Sequence, residues 1–126
     1  MKDSVTKILI IDDDADIGNI VKMTLEFKGY SVLLLKSAVN CIEYIKNHRI
    51  SFIIMDLLIS GVYGVDVCKA IKADATLSSI PIMMMSAHPD AKRICTEAGA
   101  NDFIAKPFDM MEVLAKVKIH TETVNI

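Results

Sequence analysis

Five short runs of consecutive apolar residues punctuate the chain: Lys7 to Ile11, Ser31 to Leu35, Ser51 to Met55, Pro81 to Met85 and Phe103 to Ala105. Each has the length of a strand and is apolar at successive positions, which predicts burial on both faces. Between and after these runs, apolar residues recur at i, i+3, i+4 and i+7, the spacing that gathers side chains on one face of a helix. Ala38, Cys41, Ile42 and Ile45 make one stripe, Ala91, Ile94, Cys95 and Ala98 another, and Met110, Val113, Leu114 and Val117 a third. Ile17, Ile20, Val21 and Leu25 fit the same template with Thr24 interrupting, and Val67, Cys68 and Ile71 follow it after Gly64. Strand and helix therefore alternate five times. Strict alternation makes the sheet parallel and puts helices on both of its faces, a three-layer α/β/α domain.

The punctuation agrees with this pattern. Asp14 or Asp16 stands where the first helix needs an N-cap, Ser37 before the second and Asp109 before the last, while Gly29 and Gly99 lie where left-handed C-terminal caps belong. At 126 residues the chain fits a single domain, with the tail from Thr121 to Ile126 expected to fray.

Composition narrows the class. With 14 Lys and Arg against 16 Asp and Glu, the chain has no broad cationic field, so direct binding to nucleic acid or to an anionic membrane surface is not expected. No apolar stretch approaches the ~20 residues of a membrane span. Met1-Lys2-Asp3-Ser4 carries no signal-peptide core. Cys41, Cys68 and Cys95 are odd in number and form no C-x-x-C pair, which argues against a disulfide framework or a zinc site. A reduced, cytoplasmic protein is the expectation.

In open parallel sheets ligands sit outside the carboxyl ends of the strands. There the first strand runs into Asp12-Asp13-Asp14, the third into Asp56, the fourth into Ser86 and the fifth into Lys106-Pro107. Asp12, Asp13 and Asp56 brought together would raise one another's pKa unless a cation intervened, and a small pocket of carboxylate oxygens suits Mg²⁺. With one carboxylate left as nucleophile, Ser86 and Lys106 supply a hydrogen-bond donor and a positive charge for an incoming phosphoryl oxygen. The set points to phosphoryl transfer.

These residues lie in motifs that resemble the response-regulator receiver domain over nearly the whole chain. They are Ile10-Ile11-Asp12-Asp13, Ile54-Met55-Asp56, Met85-Ser86-Ala87, and Ala98-Gly99-Ala100-Asn101-Asp102-Phe103 leading to Lys106-Pro107-Phe108. The resemblance implies a flavodoxin-like fold of five parallel strands in the order 2-1-3-4-5. It implies that Asp56 accepts a phosphoryl group from a histidine kinase or a histidine phosphotransfer protein. Asp13, Asp56 and the Leu58 backbone carbonyl would bind Mg²⁺ directly, and Asp12 through water. Lys106 would hold a phosphoryl oxygen across a cis Lys106-Pro107 bond, and Ser86 and Phe103 would be the switch pair. Leu58, Ala87 and His88 would border the site. The helix from Pro89 to Ala98, the fifth strand and the last helix would form the surface read by an effector, with a homodimer through that surface as one mode. Only self-directed phosphotransfer and dephosphorylation are implied, not turnover of a separate substrate.

The chain departs from the family pattern after Asp56. Ser60 stands where a Pro is common, and Tyr63-Gly64 where Asp-Gly is common. Two other readings use the same pocket. In a haloacid-dehalogenase type of phosphatase Asp12-x-Asp14 would be the catalytic pair, although Asp16 stands where such enzymes carry Thr or Val. A pseudo-receiver would be a non-phosphorylated interaction module, which the complete set of Asp12, Asp13, Asp56, Ser86 and Lys106 argues against.

Overall fold

Alternation of side chains across a strand sends the residues of each apolar run to opposite faces, and both faces are covered. The computed structural model describes residues 6–59 and 61–122. Its elements are β1 (Lys7–Ile11), α1 (Ala15–Phe27), β2 (Ser31–Leu35), α2 (Cys41–Asn47), β3 (Phe52–Asp56), β4 (Leu58–Ile59), β5 (Val62–Tyr63), α3 (Gly64–Ala73), β6 (Ile82–Ser86), α4 (Ala91–Glu97), β7 (Asp102–Ala105) and α5 (Met110–Thr121). The five longer strands pair in parallel in the order β2-β1-β3-β6-β7, which is 2-1-3-4-5 when the short β4–β5 hairpin is set aside. This is the flavodoxin-like doubly wound arrangement, with its crevice where the strand order reverses beside β1 and β3.

Two cores follow from the alternation. Leu9, Ile11, Ile53, Met55 and Met84 face one side, against Cys41 and Ile45 of α2, Cys68 and Ile71 of α3 and Cys95 of α4. Ile8, Ile10, Phe52, Ile54 and Met83 face the other, against Val21 and Leu25 of α1 and Val113 and Val117 of α5. The three cysteines are buried free thiols, and burial pushes their pKa up, to about 11 for Cys95. No helix among the described residues is long and apolar enough to cross a membrane.

The structure corrects several local expectations. β3 runs on to Asp56 and β6 to Ser86, because Asp56 still pairs with Met85 and Ser86 with Ala105. Ile20 is exposed: Gly18, Val21 and Leu25 form the buried stripe of α1, and Gly18 lets Leu34 pack closely beneath it. Ser37 does not cap α2, which starts at Cys41 behind Asn40 in the left-handed region; its Oγ instead accepts the Val39 N–H in the preceding turn. Asp14 and Asp109 cap as expected, and Gly29 and Gly99 have positive φ. The β4–β5 hairpin was not anticipated. Its Ser60 lies outside the described residues, as do residues 123–126 of the tail.

Lys116 is not a freely solvated cation. Its Nζ lies 3.0 Å from Asp102 Oδ1, and His120 Nε2 lies 2.8 Å from Asp102 Oδ2. The His120 ring also stacks on Phe52, so this clasp ties α5 to β7 and to the centre of the sheet. Burial works to raise the Asp102 pKa, but His120, Lys116 and the Phe103 N–H outweigh it and hold the carboxyl below its ordinary value. A depressed carboxyl stabilises the fold above its unfolded value and loses that contribution as pH falls. Asp102→Asn is accordingly expected to cost roughly 1–2 kcal/mol near pH 7. The gap between parent and variant should close below about pH 4, as read by urea unfolding at a series of pH values.

Candidate phosphoryl-accepting site

The carboxyl edge of the sheet assembles the site. Asp12 follows β1, and its N–H donates to Leu35 O, which extends the pairing with β2 by one residue. Its Oδ1 accepts the Asp14 N–H at 2.9 Å, so the chain turns at once into α1. Asp14 then accepts the N–H groups of Asp16 and Ile17 as the helix cap. This use of Asp14 leaves it outside the acidic cluster and removes the carboxylate pair that the phosphatase reading needs.

The cluster is Asp12, Asp13 and Asp56, each offering a carboxylate oxygen within 4.8 Å of the others. Asp12 is fully buried, Asp13 exposed and Asp56 between them. Lys106 reaches the cluster from the end of β7, with Nζ 3.2 Å from Asp56 Oδ1 and 3.9 Å from Asp12 Oδ2. That second distance is beyond a hydrogen bond, and Asp12 Oδ2 is a buried oxygen with no hydrogen-bond partner. Desolvation raises the Asp12 pKa, opposed by the Asp14 N–H and by Lys106 and reinforced by the negative charge of Asp56. An orphaned buried carboxylate oxygen beside two further carboxylates is what a hard divalent cation would satisfy, so the residues fit Mg²⁺.

Backbone contacts complete the geometry. Asp56 Oδ1 accepts the Leu57 N–H at 3.1 Å, and the Leu57 N–H is within reach of Met85 O as well. Gly64 N–H donates to Leu57 O, closing the hairpin immediately after Asp56. A Cβ at Gly64 would lie 2.5 Å from the Asp56 carbonyl oxygen and 2.9 Å from that of Leu57, so no side chain fits there. With Leu57 and Gly64 hydrogen-bonded, the neighbouring Leu58–Tyr63 pair is of the non-hydrogen-bonded kind. The Leu58 carbonyl is thus directed off the β4–β5 ladder.

Asp56, Leu57, Leu58, Ser86, Ala87, His88 and Lys106 line a cavity of about 530 Å³. Ser86 Oγ accepts the His88 N–H at 3.0 Å, which leaves its own proton free to donate. The Lys106–Pro107 bond is cis. All the expected site residues except Phe103 therefore meet at one edge. Phe103 is half-buried on β7 and packs against the core on the α2–α4 side. The Leu57 N–H and the closeness of Gly64 were invisible to sequence reasoning, although a glycine eight residues after the acidic strand end was a usable signal.

Comparison with known proteins agrees with this fold. Residues 8–118 match the response regulator receiver domain. The chain belongs to that family. It is 31% identical over 114 residues to the DNA-binding response regulator MtrA of Mycolicibacterium paratuberculosis, which covers 89% of this chain and 49% of MtrA. The chain thus spans about half the length of the curated relatives it matches. Among solved structures it resembles a two-component response regulator from Clostridium difficile, with a TM-score of 0.81 and 30% identity over 90% of this chain and 93% of that one. It is also similar to the receiver domain of NtrX from Brucella abortus, with a TM-score of 0.84 and 25% identity over 93% and 99% of the two chains.

A carboxyl whose pKa is raised by the fold destabilises the ionised folded state at any pH above the unfolded value. Asp12→Asn is expected to raise the metal-free melting temperature by a few degrees near pH 7, with the gain vanishing below about pH 4. Mg²⁺ should raise the melting temperature of the parent more than that of the variant, as a thermal shift series with and without the ion would read.

Proposed function

We propose that this chain is a phosphorylation-controlled switch in which Asp56 takes a phosphoryl group from a phosphohistidine on a histidine kinase or phosphotransfer protein. The observation that carries the reading is Lys106 Nζ at 3.2 Å from Asp56, beside the Asp12–Asp13–Asp56 cluster and at the edge of an open cavity. The Asp56 carboxylate attacks phosphorus as the bond to the donor nitrogen breaks, giving an acyl phosphate. Lys106 then pairs with a phosphoryl oxygen, and the Ser86 hydroxyl donates to another. Asp13, Asp56 and the Leu58 carbonyl, with Asp12 through water, would hold Mg²⁺, which would supply charge neutralisation to the transferring group. Buried Asp12 gives this step its preorganisation, since its carboxylate is fixed by the Asp14 N–H before any ligand arrives.

The added negative charge draws Ser86 toward the phosphoryl group and vacates space that Phe103 turns into. α4, β7 and α5 then form the surface that an effector protein or domain reads, or through which two copies pair. A phosphate thereby shifts an equilibrium between two arrangements of one surface. The family's position as one part of longer regulators, as in MtrA, supports a partner or an attached domain as the reader.

Incubation with acetyl phosphate should give a Mg²⁺-dependent phosphoryl adduct by intact-mass analysis, and Asp56→Asn should give none. An adduct that survives the substitution, or none on the parent in any condition, would sink the reading. Leu58 offers no hydrogen bond to orient an attacking water at the cavity wall. Leu58→Asn is therefore expected to shorten the lifetime of the acyl phosphate severalfold, read as decay of the adduct after the donor is removed.

A further inference from the structure

The two edges of the sheet are guarded differently. At one edge β7 pairs only with β6 among the described residues, and it opens with the charge of Asp102, met by Lys116 and His120. Charge on an edge strand opposes the addition of another strand. At the other edge β2, among the described residues, pairs only with β1 and reads Ser31-Val32-Leu33-Leu34-Leu35, with neither charge nor proline. Leu33, Leu34 and Leu35 are each part-exposed, and Val39 in the connection that follows is exposed at 69%. An apolar edge strand is a template for pairing with another chain.

The hydrogen bonds of β2 fix which of its backbone groups face outward. Ser31 N–H donates to Thr6 O, and Leu35 O accepts the Asp12 N–H, so both residues turn toward β1. Along a strand the N–H and C=O of one residue point to the same side and those of the next to the other. Leu33 therefore also turns to β1, and Val32 and Leu34 direct their N–H and C=O away from the sheet. The side chains alternate as well: Leu33 and Leu35 pack in part on the α2 side, Val32 and Leu34 on the α1 side.

We propose that β2 is a homodimer interface: a second copy of this chain adds its own β2 antiparallel, about a two-fold axis at Leu33, and joins the two five-stranded sheets. In this register Val32 of each copy exchanges N–H and C=O with Leu34 of the other, which uses every outward group of both strands. Leu33 meets Leu33 as the non-hydrogen-bonded pair, where side chains lie closest. Leu35 meets Ser31 and Lys36 meets Tyr30, so apolar residues face apolar ones and no like charges are opposed. That self-complementarity is the reason to assign the edge to a second copy. A two-fold pairing closes on itself, so association ends at the dimer. It leaves β7 at the outer edge of each copy, and the antiparallel strands place the two acidic clusters at opposite ends.

The test uses the unphosphorylated chain, so its outcome is independent of the role given to Asp56. Sedimentation equilibrium from micromolar to millimolar concentration should show the parent passing from monomer to dimer. Residue-resolved amide exchange should show the Val32 and Leu34 N–H groups becoming protected over the same range, while those of Leu33 and Leu35 are protected throughout. Leu33→Lys and Leu33→Glu should each be monomeric, because like charges then meet at the axis, and an equimolar mixture of the two should regain the dimer mass. A variant that merely unfolds cannot be rescued in this way. A parent that stays monomeric leaves the edge to some other chain and overturns the proposal. So does a dimer whose Val32 and Leu34 amides exchange as fast as in the monomer, a dimer that survives Leu33→Lys, or a mixture that fails to reassociate.

Discussion

Three carboxylates held within 4.8 Å of one another are the constraint on which the rest of this molecule depends. Like charges at that separation disfavour the compact state, and one of them, Asp12, is removed from water altogether. The sheet can impose the cluster because its strands are among the most deeply buried elements of the chain, with Ile8 to Ile11 and Ile53 to Met55 all but inaccessible. Hydrophobic burial along β1 and β3 thus holds in place a charge arrangement that would disperse in a looser scaffold. Lys106 offsets part of the repulsion, and the remainder is what a cation would relieve.

The same logic explains where the conformational freedom lies. The cluster comes from strand ends, which the sheet fixes, whereas the groups around it come from the segments that follow those ends. Leu58 sits on a two-residue strand, and His88 on the connection into α4. Asp56 itself is pinned from behind by the Leu57 N–H and by the backbone of Gly64 pressed against its carbonyl. Asp56 is thus fixed by the sheet, and its surroundings are carried on the connecting segments that follow the strands.

Much of this was legible in the sequence because burial on both faces leaves a strong signal. The five strands, the parallel sheet and its two helical layers followed from runs such as Ile8 to Ile11 and from stripes such as Val113 and Val117. Asp12, Asp13, Asp56, Ser86 and Lys106 followed because they stand at or just past strand ends, where position along the chain becomes position in space. What was not legible depended on pairing or packing. Periodicity included Ile20 in a buried stripe, but the stripe that α1 buries runs through Gly18, Val21 and Leu25 and leaves Ile20 exposed. Ser37 has the chemistry of a cap, yet the turn at Asn40 delays α2 until Cys41. The hairpin of Leu58 to Tyr63 is too short for any period to reveal, and the pairing of Lys116 and His120 with Asp102 joins residues 14 and 18 positions apart.

That last contact has a mechanical consequence. Asp102 begins β7 and so lies at the edge of the sheet opposite the acidic cluster, while Lys116 and His120 belong to the far half of α5. The near end of α5 starts just after Lys106 and Pro107, beside the pocket. The helix is therefore anchored at one end by an ionic clasp and attached at the other to the strand end that carries Lys106. Between those two ends Val113 and Val117 seat the helix on the sheet. In the switch proposed above, movement of the Lys106 end would be read as a change of angle between α5 and β7.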